Sequence, residues 1–235
     1  MQLNIRFRDF FLCGGKVGLN GSRPTGSADN NMLMNKLDIL LINTPFRKWL
    51  LDRATQKYYF EYFNEIKGKT VLEIGCGSGG GTELILKYFS PQQIIATDLD
   101  PRLISLARRN VQNKKVIFEK ADATKLTYKN ESFNAVFDYG VIHHIPLPEW
   151  KKCLNEIYRV LKPGGKLFVW DVSIESFNTV YGRIIKLFTP HPYSKMYRKQ
   201  EFVNHLTSIG FKIIKKAEEA RYFTIIAKKK NVSCT

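Results

Sequence analysis

The chain has 235 residues, 44% hydrophobic and 25% charged, with a formal net charge of +16. That composition suits one folded domain with a sizeable core. It excludes a helical membrane span, since no apolar run approaches the roughly 20 residues required. The N-terminus lacks the long apolar stretch and cleavage site of a secretory signal, so a cytoplasmic location is expected. Cys13, Cys76, Cys153 and Cys234 are scattered with no Cys-x-x-Cys pair, which reads as free thiols rather than a metal site. The basic surplus favours encounters with anionic partners such as nucleic acid, lipid headgroups or acidic metabolites, and equally fits a solvated surface.

Residues 13–31 are rich in Gly, Ser and Asn and carry little apolar surface to offset the entropy of ordering. Residues 1–31 are therefore expected to be a disordered extension, with Met32 and Met34 as alternative starts. Residues 32–67 read as a helical cap containing Leu37, Leu40, Leu41, Trp49 and Leu50, then Tyr58, Tyr59, Phe60, Tyr62 and Phe63. Pro45 suits the first turn of a new helix, with Asn43 or Thr44 as its cap.

From residue 68 to about 230 short apolar runs alternate with amphipathic stretches. TVLEIGCG, QIIATDL, VIFEKAD, FNAVFDYG and KLFVWDVS read as strands. GGTELILKYF, PRLISLARRNVQ and PEWKKCLNEIYRVLK read as the helices between them. Continuously apolar strands alternating with helices predict an α/β fold: a doubly wound, mostly parallel sheet covered on both faces. A helix near 199–209, then FKIIKKAE and RYFTIIAKKK, adds a closing antiparallel pair.

Gly75-Cys76-Gly77-Ser78-Gly79 lies between the first strand and the following helix. Glycines there let the backbone turn sharply and let a ligand approach at the carboxyl edge of the sheet. The glycines alone do not choose the ligand: Gly75, Gly77 and Gly80 also satisfy the dinucleotide pattern G-x-G-x-x-G, and Asp98 suits a ribose diol in either case. The flanking acids separate the two. A carboxylate at Glu73 would repel a pyrophosphate but suits a network around an ammonium-bearing methionine moiety. Asp122 can accept from an adenine amino group while the Ala123 N–H donates to a ring nitrogen.

VLEIGCGSGGGT, ATDLDP, EKADATKLTYKNESFNAVFDYGVIHHI and LKPGGKLFVW together resemble the successive motifs of class I S-adenosylmethionine-dependent methyltransferases, in order from about 70 to 170. The closing hairpin extends the resemblance to about 228. It implies a seven-stranded Rossmann-like sheet and S-adenosylmethionine as cofactor. It gives Glu73, Gly75, Gly77 and Gly79 to the methionine end, Asp98 to the ribose, Leu99 to the adenine face, and Asp122 and Ala123 to the adenine edge. Tyr139, just past the fourth strand's core, is expected to contact donor or acceptor, as is Asp138. Two positions depart from the family: Asn134 stands where Asp is usual, with an effect expected on local geometry, and Asp100 replaces a common Ser or Thr, adding charge near the ribose.

Methyl transfer is a displacement from a sulfonium, so the protein mainly aligns the partners and excludes water. A base is needed only when the nucleophile must lose a proton. His144 matches the second histidine of the family's "hHi" segment and is the candidate for that role, a strand-end cap being the other reading. His143 reads as structural. DYGVIHHI lacks the Asn/Asp-Pro-Pro-aromatic segment of duplex-base enzymes, so DNA is not an expected substrate. The resemblance points to a small-molecule or lipid-like acceptor. RNA or protein methylation through the basic surface, and a cofactor-binding module without catalysis, stay open.

Residues 174–198 read as a lid insertion. Arg183, Lys186, Lys195, Arg198 and Lys199 are interleaved with Val180, Tyr181, Ile184, Ile185, Leu187 and Phe188. Such a segment either packs as a lid with a solvated outer face or lies on an anionic membrane, a peripheral contact at the inner surface.

Overall fold

A computed structural model describes residues 44–178, 196–219 and 222–231. The expected extension, the first part of the helical cap and most of the lid insertion lie outside those residues. The chain enters the described region at Thr44, which caps helix α1 (Pro45–Tyr59) by accepting from the Arg47 N–H at 3.4 Å. Pro45 takes the first turn, where a missing N–H costs nothing. After a 3₁₀ turn come α2 (Phe63–Ile66), β1 (Thr70–Ile74) and α3 (Gly80–Leu84), which continues as a π turn over Ile85–Phe89. Next are β2 (Gln93–Asp98), α4 (Pro101–Asn110), β3 (Val116–Lys120), β4 (Phe133–Tyr139), α5 (Glu149–Val160) and β5 (Leu161–Asp171). Helix α6 (Lys199–Ser208) leads into the hairpin β6 (Phe211–Glu218) and β7 (Phe223–Lys229).

The strands form one seven-stranded sheet in the order β3-β2-β1-β4-β5-β7-β6. The first five are parallel, while β7 runs antiparallel between β5 and β6. This is the doubly wound arrangement the alternation predicted, and β1 and β4 flank the point where the strand order reverses. Ligands in such sheets bind outside the carboxyl ends of the strands at that point.

The strand period of two sorts the side chains between two cores. One face carries α1, α3 and α4 over Phe89, Phe137 and Phe168, whose rings meet at 4.8–5.5 Å. The other carries α5 and α6 over Leu72, Val136 and Val169, with Trp150 and Phe202 stacked at 5.9 Å. Full burial of one such aromatic ring is worth roughly 1.5–3 kcal/mol. The alternation also decides where the polar residues at the strand ends go. Tyr139 and Trp170 join the α1 face, and Asp138 and Asp171 fall one residue out of phase, on the side of α5 and Tyr197.

Two sequence expectations take a definite structural form here. Asn134 sits where the β4–β5 register slips, between Phe133 and Ala135, and accepts from Lys162 at 3.3 Å, so the departure is absorbed in a strand irregularity. Asp100 caps α4, accepts from the Arg102 N–H at 2.9 Å and is ion-paired with the Arg102 guanidinium, which offsets its charge. Of the basic residues in the lid insertion, Arg198 immediately precedes α6 and Lys199 pairs with Glu218.

Candidate active site

A cleft opens at the carboxyl ends of β1, β2, β3 and β4. Gly75 turns the chain out of β1 with φ +58°, and a Cβ there would lie 2.2 Å from a Val141 methyl. Both the left-handed backbone and the missing side chain are thus needed for the loop to pass β4. Gly75 and Gly77 line the cleft. Gly79 does not: it is buried behind the loop against α4, where an added Cβ would come 2.7 Å from Val111.

Asp98 ends β2 and ties the glycine loop to it. One carboxylate oxygen accepts from the Gly77 N–H at 2.9 Å and the other from the Asp100 N–H at 2.9 Å. Burial raises its pKa, against the pull of those backbone donors. Each oxygen keeps a second lone pair for a ligand hydroxyl. Leu99 follows in the wall, and Asp122 and Ala123 close that side beyond β3. Asp122 receives the Thr124 N–H and hydroxyl on one oxygen, at 2.8 and 2.7 Å, so its carboxylate is held by the turn that carries it.

Glu73 is the deep acid, 1% exposed and turned toward α3. Its Oε2 accepts from the Thr82 hydroxyl at 2.5 Å. Its other oxygen occupies the space a side chain at residue 81 would need, since a Cβ on Gly81 would lie 2.2 Å from Oε1. Gly81 is therefore part of the site, through the side chain it lacks. Burial pushes the Glu73 carboxyl up to about 8, with the Asp98 charge adding to the shift and Thr82 and Arg47 opposing it.

The residue that sequence reasoning missed is Arg47. It projects from the first turn of α1 into the same cleft, donates to the Tyr139 carbonyl at 2.8 Å and lies 5.9 Å from the Trp170 ring centroid. Burial lowers its pKa, opposed by the charges of Asp171, Asp138 and Glu73. Nothing in the local pattern of PFRKWLLDR separates it from the neighbouring surface cations. Only the docking of α1 across the sheet edge does.

The remaining wall comes from the end of β4. Tyr139 is buried, its hydroxyl 3.2 Å from the Thr55 hydroxyl, so its ring and backbone shape the cleft while its phenol is spent on α1. Gly140, Val141, His144 and Ile145 complete the lining. The structure thus gathers Glu73, Gly75, Gly77, Asp98, Leu99, Asp122, Ala123, Tyr139 and His144 around one cleft and leaves Gly79 outside it. Tyr58 and Tyr59 do not reach it: Tyr59 donates to the Val169 carbonyl at 2.8 Å, and Tyr58 bonds Glu219.

This donor set fits a methionine-bearing nucleoside better than a dinucleotide. Among the described residues, three carboxyl groups face the cleft against a single guanidinium. A pyrophosphate would bring two negative charges against them, whereas an ammonium, a sulfonium and a ribose diol would each meet an acceptor. Residues 72–169 match the profile of a known family, the methyltransferase domain. The chain carries a class I S-adenosylmethionine-dependent methyltransferase domain.

This methyltransferase domain has similar stretches in other proteins. Over 107 residues, 46% of this chain, it is 35% identical to the phthiotriol/phenolphthiotriol dimycocerosates methyltransferase of Mycobacterium leprae. It is 34% identical over 107 residues to the fatty-acid O-methyltransferase of Mycolicibacterium smegmatis. The matched region spans only 39% and 38% of those two relatives' own lengths. Among solved structures, an S-adenosylmethionine-dependent methyltransferase from Aquifex aeolicus superposes with a TM-score of 0.65 at 22% identity, covering 83% of this chain and 99% of that one. That likeness supports the fold.

Proposed function

We propose that the chain transfers a methyl group from S-adenosylmethionine to a small-molecule or lipid-like acceptor. The observation that carries this reading is the continuity of the cleft. Asp98 and Asp122 stand at one end of it, and Val141, His144 and Ile145 form a part-apolar wall at the other. The cofactor, when bound, supplies an electrophilic methyl on a sulfonium. Asp98 is placed to accept from the ribose hydroxyls, with Leu99 against the adenine. Asp122 and the Ala123 N–H take the adenine edge. Glu73 and Arg47 share the methionine end, Arg47 offering a guanidinium to the carboxylate and Glu73 an acceptor toward the ammonium. His144 faces the acceptor side and takes a proton where the nucleophile carries one.

Both relatives named above are methyltransferases with lipid substrates in their names, and this favours a lipid-like acceptor here. Among the described residues no helix is long and apolar enough to cross a membrane. With the +16 charge, peripheral contact with an anionic membrane would bring the cleft to a dispersed substrate. The test is a transfer assay with methyl-labelled donor against fractionated lipid, metabolite, RNA and protein pools. Label in the lipid or small-metabolite fraction is expected. Label confined to RNA or protein would replace this reading with one that uses the basic surface as a polyanion site.

A further inference from the structure

Behind the cleft wall lies a group of buried ionisable side chains that donor binding does not use. Asp138, next to last in β4, and Asp171, at the end of the adjacent β5, are both fully buried. Four donors converge on Asp171. Its Oδ1 takes the Val172 N–H at 2.7 Å and His143 Nδ1 at 2.5 Å. Its Oδ2 takes the Tyr197 hydroxyl at 2.8 Å and the His143 N–H at 3.1 Å. Asp138 is different: Oδ1 accepts from the Val141 N–H at 2.9 Å, while Oδ2 has no hydrogen-bond partner among the described residues. Asp171 is the better satisfied of the two adjacent buried carboxyls, with four donors. Burial and the neighbouring Asp171 raise Asp138 well above the usual carboxylate range.

A carboxylate at that position makes His143 Nδ1 a donor and so sets the tautomer and ring plane of His143. The His143 ring in turn lies against that of His144, centroids 3.9 Å apart and planes tilted by 38°. His144 is the member that lines the cleft. We propose that Asp171 and His143 are positioning residues behind His144, and that the acceptor is a hydroxyl compound whose proton His144 removes. This rests on the methyl-transfer reading above and deepens it. A carboxylate acceptor arrives already deprotonated and needs no base. A hydroxyl does, and a histidine whose neighbour is anchored to a buried carboxylate is built for that need. In the step, the O–H proton passes to a ring nitrogen of His144 as the oxygen lone pair forms the new O–CH₃ bond. The S–CH₃ bond breaks with its electrons going to sulfur, leaving a neutral thioether and a methyl ether, and His144 then returns its proton to solvent.

The ionisable groups coupled to Asp171 are Arg47 from α1, Asp138 from β4, Cys153 from α5 and Tyr197 ahead of α6. Asp171 is in direct contact with His143. Removing its charge withdraws stabilisation from the imidazolium, so the acid limb of kcat moves to lower pH.

The probes are para-octylphenol and para-octylbenzoate in the same detergent, with labelled donor, alongside calorimetric donor binding. The wild type is expected to methylate the phenol at least about ten times faster than the benzoate. His143→Phe keeps a stacked ring but breaks the link to Asp171. It is expected to lower kcat on the phenol by at least about tenfold, within the range for general-base catalysis, with donor Kd unchanged. Asp171→Asn is expected to shift the acid limb to lower pH. If that variant does not fold, Tyr197→Phe, which removes one of the four donors, reads the same limb in the opposite direction.

Benzoate methylated as fast as phenol overturns the proposal. So does an unmoved kcat and pH profile in His143→Phe, or donor binding with neither probe methylated. Failure of the wild type to bind the donor at all is a separate result, and sinks the methyltransferase reading instead.

Discussion

The two halves of the cleft are built from different materials. The donor half is mostly backbone and strand-end carboxylates: Gly75 and Gly77 in a loop that Asp98 holds, Asp122 fixed by Thr124, Glu73 seated under Gly81. Each position is tied to a strand end by local hydrogen bonds or close packing. The acceptor half is side chains on short turns past β4, together with Arg47 reaching over from α1. Its geometry depends on tertiary docking.

That contrast predicts graded effects. Gly75→Val should be the most severe change, since its Cβ would overlap Val141 on a left-handed backbone; calorimetry should find no donor binding in protein that remains folded by circular dichroism. His144→Ala should lower turnover by about 10²–10⁴-fold where the acceptor carries a proton and leave donor Kd within error. A matching loss of donor affinity would erase the division between the halves. Arg47→Ala should weaken donor binding by roughly 1–3 kcal/mol, the range for a lost charged hydrogen-bond partner. An unchanged Kd would return Arg47 to a purely packing role on Tyr139 and Trp170.

The most specific effect concerns Glu73. Its carboxyl titrates at about 8 in the fold against an ordinary value of 4.5. Over that window the unfolded chain has released a proton the folded chain still holds. Stability is therefore fully present at low pH and falls as pH rises through about 8. Asp98 and Asp138, both raised by burial, act in the same direction. In Glu73→Gln the urea midpoint should depend less on pH between about 5 and 8.5 than in the wild type, a slope set by linkage. An identical slope would mean that Glu73 is ionised in the fold.

Much of the donor half was legible in the sequence because its residues lie next to strand ends that the apolar runs announce. Asp98 and Asp122 each close a short hydrophobic segment, Glu73 sits inside one just before the glycine turn, and parallel pairing brings those ends to one edge. Gly79 stands away from the cleft lining: its turn starts α3, and it packs toward α4. Asp100 precedes Pro101 and caps α4, a role that local sequence also allows. Arg47 and Asp171 were out of reach for a different reason. Arg47 is 92 residues from Tyr139 and Asp171 is 28 from His143, and no periodicity reports a contact made across the sheet edge. The sequence reads His143 as structural, and its partner Asp171 is a contact that the local pattern does not show. The turn after β4 separates the two histidines, one toward the cleft and one toward Asp171.

The central claim is that the acids around the glycine loop select a methionine-bearing nucleoside rather than a dinucleotide. The direct test is calorimetric titration of the wild type and Asp98→Ala with S-adenosylmethionine and with NAD under the same conditions. The structure predicts saturable binding of S-adenosylmethionine, weakened in Asp98→Ala by roughly 1–3 kcal/mol, and no measurable binding of NAD. NAD binding at comparable affinity, or S-adenosylmethionine binding indifferent to Asp98, would contradict it.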